Sequence, residues 1–326
     1  MKLFHNRIRE WYAAHGRKDL PWRNTPDPYA IYLSETMLQQ TQVKTVLTRY
    51  YAPFLKRFPT IAALAAASQD EVLQSWQGLG YYNRAINLHK AAKLAGSALP
   101  DTIEGLLALP GIGRNTAHAV AAFAFHQPVA IMEANVKRVV SRIFALERPS
   151  DAELWEKATS LLDTKHPFDY NQAMMDIGAL VCLKRKPLCS ECPANIICKG
   201  KHAPELYPAP KLKKATPVRE KNIVIWRNGN GHFHAVARIS RFLNGLYHFK
   251  EADKAGDTRD LTKAVALGSV RQQYSHFTLE ADVFLVDVDT LYDEGWYDFD
   301  RLKRLPMSMA EQKILKKLAN YNMSSS

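Results

Sequence analysis

The sequence predicts two domains, an all-α domain followed by an α+β domain. Through most of residues 1–200, apolar residues recur at the spacing of one helix face. Residues 201–220 are rich in proline and lysine and lose this periodicity, which indicates a linker. In residues 221–322, runs of branched and aromatic residues alternate with turn residues, as strands do. A chain of 326 residues is long enough for two hydrophobic cores.

The helical periodicity of the first domain divides into separate segments. The longest predicted helix covers 35–58, and Pro53 is a residue at which it could kink or end. The shorter predicted helices cover 61–64, 71–76, 84–94, 102–109, 115–125, 136–146, 152–162 and 172–183. In the second domain, 223–226 and 234–237 flank the turn 228–231 and predict a β-hairpin. A further strand is predicted over 278–286 and a helix over 310–318.

The charge balance favours a polyanionic partner. Lysine and arginine number 44 against 32 aspartate and glutamate residues, so the formal net charge is +12. Nucleic acid is the commonest polyanion that such a surface binds, although basic charge can also serve solubility alone. The chain starts without an apolar signal segment, and no apolar run reaches the ~20 residues of a membrane span. We therefore expect a soluble, cytoplasmic protein without a membrane partner.

All four cysteines lie within one short segment. Cys182, Cys189, Cys192 and Cys198 are separated by six, two and five residues. Such crowding in an intracellular protein indicates a metal centre rather than disulfides. Zinc sites usually combine two short cysteine pairs, and this segment has one, so an iron–sulfur cluster fits at least as well. The spacing alone allows both.

A glycine-rich turn separates two of the predicted helices. It contains Gly111 and Gly113 within LPGIGRNTA at 109–117. Glycine permits positive φ and close backbone approach, and the amides that open the following helix can bind a phosphate. This is the pattern of a helix–hairpin–helix, although a plain turn between helices also fits the bare sequence.

Together these segments resemble the helix–hairpin–helix DNA glycosylases with an iron–sulfur cluster, and among them the MutY-type adenine-DNA glycosylases. The resemblance covers nearly the whole chain. It rests on LPWR at 20–23, SETMLQQTQV at 34–43, GLGYYNRA at 78–85, LPGIGRNTA at 109–117, NQAMMDIGALVC at 171–182 and the cysteine spacing.

The resemblance implies both a fold and an activity. It implies an all-α glycosylase domain over 1–200, with a [4Fe–4S] cluster bound by the four cysteines of the loop 182–198, and a Nudix-like domain over 221–322. The implied activity is hydrolysis of the N-glycosidic bond of adenine mispaired with 8-oxoguanine or guanine in double-stranded DNA, by a monomeric enzyme of base excision repair. Bases of this kind are flipped out of the duplex before they react.

The resemblance assigns the chemistry to three residues. Glu35 matches the general acid that protonates adenine, and its apolar neighbours predict a raised pKa. Without the resemblance, Glu35 would be an ordinary glutamate in the first turn of a helix. Where the family has aspartate and glycine in an Asp-Gly-Asn-Val pattern, this chain has Glu133 and Ala134, followed by Asn135. The resemblance implies that Glu133 stabilises positive charge on the sugar and that Asn135 helps to position it.

Further residues match positions that contact adenine or DNA. Those that border the adenine pocket or enter the duplex are Trp22, Arg23, Gln39, Gln40, Tyr81, Tyr82 and Asp176, the last as an acceptor for adenine's amino group. In the second domain, Tyr274, Ser275 and His276 match a Phe-Ser-His loop that reads 8-oxoguanine, with tyrosine in place of phenylalanine. Taken alone, these side chains would be helix polar faces, core aromatics and an ordinary loop.

The departures from the family pattern define two alternatives. Asn115 stands where relatives with lyase activity carry a lysine that forms a Schiff base, so a bifunctional glycosylase–lyase is disfavoured. The second alternative is a lesion-binding homologue whose catalysis is impaired because Glu133 replaces the family aspartate.

Overall fold

A computed structural model of the chain describes residues 1–210, 215–240, 242–253, 264–289 and 294–324. It divides into two compact units: Met1–Ala65 with Lys90–Leu212, called here the helical unit, and Ala66–His89 with Lys213–Ser326, called the sheet unit. This division differs from a boundary at residue 200, because 66–89 belongs to the sheet unit. Of the predicted linker 201–220, residues 211–214 lie outside the described residues, and 218–220 already form the start of a strand.

Helices dominate the chain up to residue 180, and side-chain caps mark several of their starts. Ser68, Thr102 and Ser150 each accept a backbone N–H at the first turn, and Ser68 with Glu71 completes a capping box. The helices are α1 (Lys2–His15), α2 (Pro28–Leu38), α3 (Val43–Thr45), α4 (Tyr51–Arg57), α5 (Ile61–Ala66), α6 (Gln69–Ser75), α7 (Asn83–Ala95), α8 (Ile103–Leu107), α9 (Arg114–Ala124), α10 (Ala134–Phe144), α11 (Asp151–Leu161) and α12 (Pro167–Leu180).

The prediction of one continuous helix over 35–58 is wrong. α2 begins earlier, at Pro28 after the N-cap Asp27, and ends at Leu38. The chain then turns through Gln40, whose φ of 57° is left-handed and cannot continue a helix. Pro53 does not end the helix: α3 continues through the π-helical segment Val46–Tyr50 directly into α4, where Pro53 is the third residue.

Two apolar clusters hold the helical unit together and carry the elements of the site. Ile8, Val140 and Ile177 are fully buried where α1, α10 and α12 pack, and burial of such side chains is the main stabilising contribution to folding. A second cluster joins α2 to α9 through Ile31 and Phe123. The relative positions of α2, α10 and α12 are therefore set by packing.

The sheet unit contains a mixed sheet with strand order β6-β7-β1-β2-β8, in which β5 also pairs with β1. β1 and β7 run parallel in full register, from Val218 opposite Thr278 to Arg227 opposite Asp287, and the other pairs in this sheet are antiparallel. The separate pair β3–β4 completes the strands. Their bounds are β1 (Val218–Arg227), β2 (Phe233–His234), β3 (Val236–Ala237), β4 (Tyr247–His248), β5 (Lys250–Asp253), β6 (Val265–Gln273), β7 (Thr278–Asp287) and β8 (Trp296–Tyr297).

Most of the predicted strands and the terminal helix of the second domain are confirmed, but the strand predicted over 234–237 is divided, because β2 ends at His234 and Val236–Ala237 is β3, which pairs with β4 in the other sheet. β1 and β2 form the predicted hairpin around 228–231, and β7 covers the predicted strand over 278–286. The final helices are α13 (Phe299–Arg304) and α14 (Met309–Ser324), the second of which contains the predicted helix over 310–318. Within the described part of the chain, no helix has both the length and the apolar character needed to cross a bilayer.

Candidate active site

A cavity of about 280 Å³ in the helical unit collects five of the residues predicted from sequence. Its walls come from the 3₁₀ turn Pro21–Arg23, α2, the start of α10 and α12. Trp22 in this wall is 6% exposed and packs edge-on against Tyr51 with ring centroids 5.1 Å apart. The predicted residues that line the cavity are Trp22, Arg23, Glu35, Glu133 and Asn135.

Glu35 has the electrostatic environment of a proton donor. It lies in the second half of α2, between the buried residues Ser34 and Thr36, so it is not a first-turn glutamate favoured by the helix dipole. Burial and, to a smaller extent, the nearby Glu133 carboxylate raise the pKa of Glu35, Arg23 opposes the rise, and the net result is a pKa of about 7. A carboxyl group with this pKa is protonated in a substantial fraction of molecules at neutral pH, unlike an ordinary glutamate.

Glu133 is the N-cap of α10. Its Oε2 accepts from the Asn135 amide at 2.9 Å, and its Oε1 accepts from the Val136 amide at 3.1 Å. Burial raises the pKa of Glu133, while these two amides and Arg138 oppose the rise. The carboxylate therefore lines the cavity with both oxygens held at the helix N-terminus, where a negative charge is stabilised.

Two asparagines support the extended segment that leads to Glu133. Asn171 on α12 accepts from the Ile131 amide at 3.2 Å and donates to the Val129 carbonyl at 2.9 Å. Asn115 on α9 accepts from the Met132 amide at 2.8 Å. Because these bonds satisfy buried backbone groups, they set where Glu133 enters the cavity. The local sequence pattern placed Asn115 in the hairpin at a position without lysine, and gave no sign of the hydrogen bonds that Asn115 and Asn171 make here.

Arg138 is a third residue that sequence analysis missed. Its Nη2 donates to Asn135 Oδ1 at 2.9 Å and to the Gly178 carbonyl at 2.6 Å, and its Nε donates to the Cys182 carbonyl at 2.8 Å. The Arg138 guanidinium thus orients the Asn135 side chain in the cavity and links it to Cys182, the first residue of the cysteine loop. The available sequence signal was an arginine three residues after Asn135, one helical turn along α10.

Gly178 on α12 packs directly against Asn135 on α10. A Cβ on Gly178 would lie 2.5 Å from Asn135 Cβ and 3.1 Å from its carbonyl carbon. We expect Gly178→Ala to lower the free energy of unfolding by roughly 1–3 kcal/mol and to slow base excision, because backbone atoms cannot rotate away. Thermal unfolding and single-turnover kinetics measure these effects. Gly229→Ala is the control, since nothing lies within 4 Å of its Cβ; a Gly178→Ala protein as stable and active as the wild type would contradict the prediction.

Asp176 does not have the role assigned to it from sequence. It is fully buried and does not line the cavity. Its oxygens accept from Nη1 and Nη2 of Arg23 at 2.7 and 2.8 Å, and from the amide and Nε of Arg17 at 2.8 Å each. Burial raises the pKa of Asp176, but the two arginines outweigh burial and lower it. A carboxylate that already accepts these bonds has no acceptor capacity for adenine, so Asp176 instead holds Arg23 in the cavity wall.

The predicted helix–hairpin–helix forms between α8 and α9. Gly111 has a φ of 77°, a conformation that favours glycine, and the N-cap Gly113 is exposed with open space around its Cα. Exposed amides at the start of α9 are suited to a phosphate. Arg114, the first residue of α9, places its guanidinium 4.0 Å from the centre of the Trp155 ring, which anchors this end of the helix.

The two glutamines after α2 lie outside the cavity lining. Gln39 is the C-cap of α2 and donates from Nε2 to Thr116 Oγ1 at 3.2 Å, which links it to α9. Gln40 is exposed and left-handed. A polar side chain at the tip of a tight turn, such as that of Gln40, is able to reach a ligand outside the protein.

The two adjacent tyrosines of the sheet unit have different environments. Tyr81 is 45% exposed and has a φ of 51°. Tyr82 is 5% exposed, and its hydroxyl accepts from the Gly78 amide at 3.2 Å and donates to the Met307 carbonyl at 3.4 Å. The assignment of Tyr82 as a DNA-entering residue is therefore not supported, because its side chain is packed in the core.

The four cysteines of the helical unit are unbridged and line one cavity. The side chain of Arg142, which is 3% exposed, donates from Nη1 to Cys182 Sγ at 3.3 Å. This buried guanidinium would offset the negative charge that the cysteines carry as thiolate ligands of a metal centre. Among the described residues, no group of three or more His, Cys, Asp or Glu side chains is arranged to hold a single metal ion. The four-thiol donor set itself fits an iron–sulfur cluster.

Tyr274, Ser275 and His276 form a turn between β6 and β7. The Tyr274 amide donates to the Phe277 carbonyl at 2.9 Å, and Ser275 and His276 are exposed. The Phe242 ring packs edge-on against the rings of Tyr274 and His276, with centroid distances of 5.1 Å and 4.9 Å respectively. The turn therefore exposes the polar side chains of Ser275 and His276, and the rings of Tyr274 and Phe242 support it by packing.

Comparison with known proteins finds a matching family model and similar relatives. The family model described as "HhH-GPD superfamily base excision DNA repair protein" matches residues 33–163. The adenine DNA glycosylase of Buchnera aphidicola subsp. Baizongia pistaciae is 31% identical, over 98% of this chain and 98% of its own length. The Homo sapiens adenine DNA glycosylase is 40% identical over 62% of this chain and 40% of its own length.

Two solved structures share the fold of the helical part. A thermostable thymine-DNA glycosylase has a TM-score of 0.57 and 29% identity, covering 62% of this chain and 96% of its own. An endonuclease III from a non-covalent DNA complex has a TM-score of 0.53 and 20% identity, covering 60% and 92%. With full-length similarity to a relative and the cavity described above, this chain belongs to the adenine DNA glycosylases of the HhH-GPD superfamily.

Proposed function

We propose that this adenine DNA glycosylase excises adenine paired with 8-oxoguanine or guanine, using Glu35 as the acid. The observation that carries the proposal is the position of Glu35 and Glu133 in one cavity, where burial and Glu133 raise the pKa of Glu35 to about 7. Adenine is a poor leaving group until its ring is protonated, so a carboxyl group that retains its proton near neutrality supplies what bond cleavage requires.

The remaining cavity residues act on the sugar and the base. Departure of adenine leaves an oxocarbenium-like sugar, and the Glu133 carboxylate stabilises its positive charge, as the second carboxylate does in glycosidases. Asn135, oriented by Arg138, positions the sugar. Trp22 and Arg23 border the flipped base, and the Asp176 carboxylate keeps Arg23 in place.

The reaction stops at the abasic site. A lyase step needs an amine that forms a Schiff base, and the corresponding position holds Asn115, which hydrogen-bonds to the Met132 amide. The amide thus supports the cavity wall and has no nucleophilic nitrogen to offer the sugar.

The duplex binds as the substrate of a monomeric enzyme. The net charge of +12 favours a phosphate backbone, and the exposed amides after Gly111 and Gly113 receive one phosphate. Gln39 and Gln40 of the helical unit, and separately Tyr81 of the sheet unit, are suited to enter the duplex, and Gln40 and Tyr81 have left-handed backbones at exposed turns. A mispair lowers the cost of flipping, which helps the enzyme to select its target.

The four cysteines bind a [4Fe–4S] cluster that stiffens the loop 182–198. We expect the purified protein to be yellow-brown and to contain about four iron atoms per chain, as this cluster type requires. Iron analysis and the visible absorption spectrum measure this. A colourless, folded protein that carries zinc and still binds lesion-containing DNA would exclude the cluster.

The sheet unit is the Nudix-like part that reads 8-oxoguanine through Ser275 and His276. We expect Ser275→Ala combined with His276→Ala to reduce the ratio of excision rates opposite 8-oxoguanine and opposite guanine, because exposed polar side chains read a base by hydrogen bonds. Single-turnover rates on the two duplexes give the ratio. An unchanged ratio, with both rates equal to those of the wild type, would exclude this turn as the reader.

A second candidate function is lesion binding with impaired catalysis. The observation that favours it is that both Glu133 oxygens are engaged by α10 amides. A single-turnover assay on duplexes with adenine opposite 8-oxoguanine separates the possibilities. Release of adenine with an intact abasic strand supports the proposed function. Binding without release supports the second candidate, and strand breaks before alkali treatment would indicate a lyase.

A further inference from the structure

A short buried segment in the sheet unit lies between two exposed turns. Met307 and Ser308 separate α13 from α14 and are 0% and 1% exposed. On one side they contact the loop that ends at Tyr81 and Tyr82, and on the other the turn formed by Tyr274, Ser275 and His276.

The backbone of Met307 holds the loop 77–82. Its amide donates to Gln77 Oε1 at 3.4 Å, and its carbonyl accepts from the Tyr82 hydroxyl at 3.4 Å. The Tyr82 hydroxyl also accepts from the Gly78 amide, so the two ends of the loop are tied to each other and to Met307. Tyr81 is therefore presented at the surface from a loop whose neighbouring residues are fixed.

The hydroxyl of Ser308 holds the other turn. Its Oγ accepts from the Ala310 amide at 3.2 Å at the start of α14 and donates to the buried carboxylate of Glu311. It also lies 3.3 Å from the Tyr274 hydroxyl. Because the single proton of Ser308 goes to Glu311, Tyr274 must be the donor in that pair. Burial raises the pKa of Tyr274 to about 12, so this hydroxyl keeps its proton throughout the neutral range.

We infer that Met307 and Ser308 form a positioning bridge, which fixes the Tyr81 loop and the Tyr274–Ser275–His276 turn relative to each other so that both read the same damaged base pair. The inference rests on the proposed reading of 8-oxoguanine by Ser275 and His276. It assigns Tyr274 a positioning role that requires its hydroxyl, which phenylalanine at this position would lack. Arg238, whose Nη2 lies 3.8 Å from a Glu311 oxygen, balances the buried charge at the far end of the bridge.

The test removes one hydroxyl at a time. We expect Tyr274→Phe and Ser308→Ala each to reduce the ratio of excision rates opposite 8-oxoguanine and opposite guanine by about two- to fivefold, the effect of one lost hydrogen bond. The double variant should lose no more than the larger single effect, because both changes break the same contact. Ser269→Ala, at an exposed position on β6, is the control and keeps the ratio.

A ratio of rates separates positioning from a loss of folded protein, since misfolding lowers both rates equally. Gln77→Ala tests the other end of the bridge and should also reduce the ratio, although it lies on a different loop from Ser275. If the wild type excises adenine equally fast from both duplexes, the proposed reading of 8-oxoguanine fails. If the wild type discriminates, and Tyr274→Phe, Ser308→Ala and Gln77→Ala all keep its ratio, the bridge is overturned.

Discussion

Glu35→Gln is expected to slow adenine excision by about 10²- to 10⁴-fold under single-turnover conditions, the contribution typical of a general acid. The amide keeps the size and polarity of the side chain but carries no acidic proton to transfer to adenine. Affinity for the mismatched duplex should change little, because the phosphate contacts lie at the hairpin and not in the cavity. Gel-shift titration and single-turnover kinetics on the same duplex measure the two quantities.

The pH profile gives an independent check on the same residue. Glu35 must be protonated to act as an acid, and its folded-state pKa is raised to about 7, so the wild-type rate should fall as the pH rises through about 7. Glu35→Gln should lack this falling limb. Glu104→Gln, at an exposed glutamate in the first turn of α8, is the matched control and should retain both rate and profile.

The raised pKa also predicts that Glu35, although it promotes excision, lowers the stability of the fold when it is ionised. Between the unfolded pKa of about 4.5 and the folded pKa of about 7, the folded state binds more protons at Glu35 than the unfolded state. The ionised group therefore destabilises the fold most fully above pH 7, and this cost disappears below the unfolded pKa. Glu35→Gln should raise the melting temperature at pH 8 more than at pH 4. If Glu35→Gln excises adenine more slowly but does not melt at a higher temperature at pH 8, Glu35 is solvated in the folded protein.

The parts of the site that sequence predicted are those whose chemistry is local. The residues within a few positions indicate the environment of each of three features: the crowded cysteines, the glycine turn between helices and the glutamate flanked by apolar residues. For this reason the apolar surroundings of Glu35, the clustered cysteines and the glycine turn at Gly111 agree with the local sequence pattern, although Glu35 lies in the second half of α2 and not at a helix start. The break of the helix after Leu38 was missed, because the apolar spacing continues across the turn although the backbone at Gln40 does not.

Assignments that depend on contacts between distant segments could not be predicted in the same way. Asp176 was expected to face adenine, but Arg17 and Arg23, more than 150 residues away, occupy its oxygens. Tyr82 was expected to face DNA, but the Met307 carbonyl, 225 residues away, accepts from its hydroxyl. Neither partner is visible in local periodicity, because only tertiary packing brings them together.

Glu133→Asp is expected to speed base excision by up to about a hundredfold, because a misplacement near 1 Å can cost that much when the geometry is tight. The longer glutamate reaches back so that both oxygens accept from the Asn135 and Val136 amides. A carboxylate one methylene shorter is a better N-cap, and it caps with one oxygen while the other faces the cavity. Affinity for lesion-containing DNA should stay nearly unchanged, so single-turnover rate and binding must be measured together.

Glu133→Gln is the companion change that separates charge from geometry. It should slow excision below the wild-type rate, because the amide cannot stabilise the positive sugar. It should also move the falling limb of the pH profile to lower pH, since Glu133 is one of the two causes that raise the pKa of Glu35. Glu133→Asp keeps the charge and therefore keeps the raised pKa while the rate increases.

The excision rates and the pH profiles of the two Glu133 variants distinguish a cavity that suits the longer glutamate from a wrong assignment of Glu133 as the group that stabilises the sugar. If Glu133→Asp is no faster but Glu133→Gln still shifts the profile, the carboxylate acts on the cavity and the surrounding residues already suit its length. If neither variant changes rate or profile, Glu133 serves only as the N-cap of α10, and another group must stabilise the sugar. The N-cap role of Glu133 is then tested by the melting temperature of a variant without a capping side chain at this position. Loss of an N-cap lowers the free energy of unfolding by about 1 kcal/mol, whatever the residue does in the cavity.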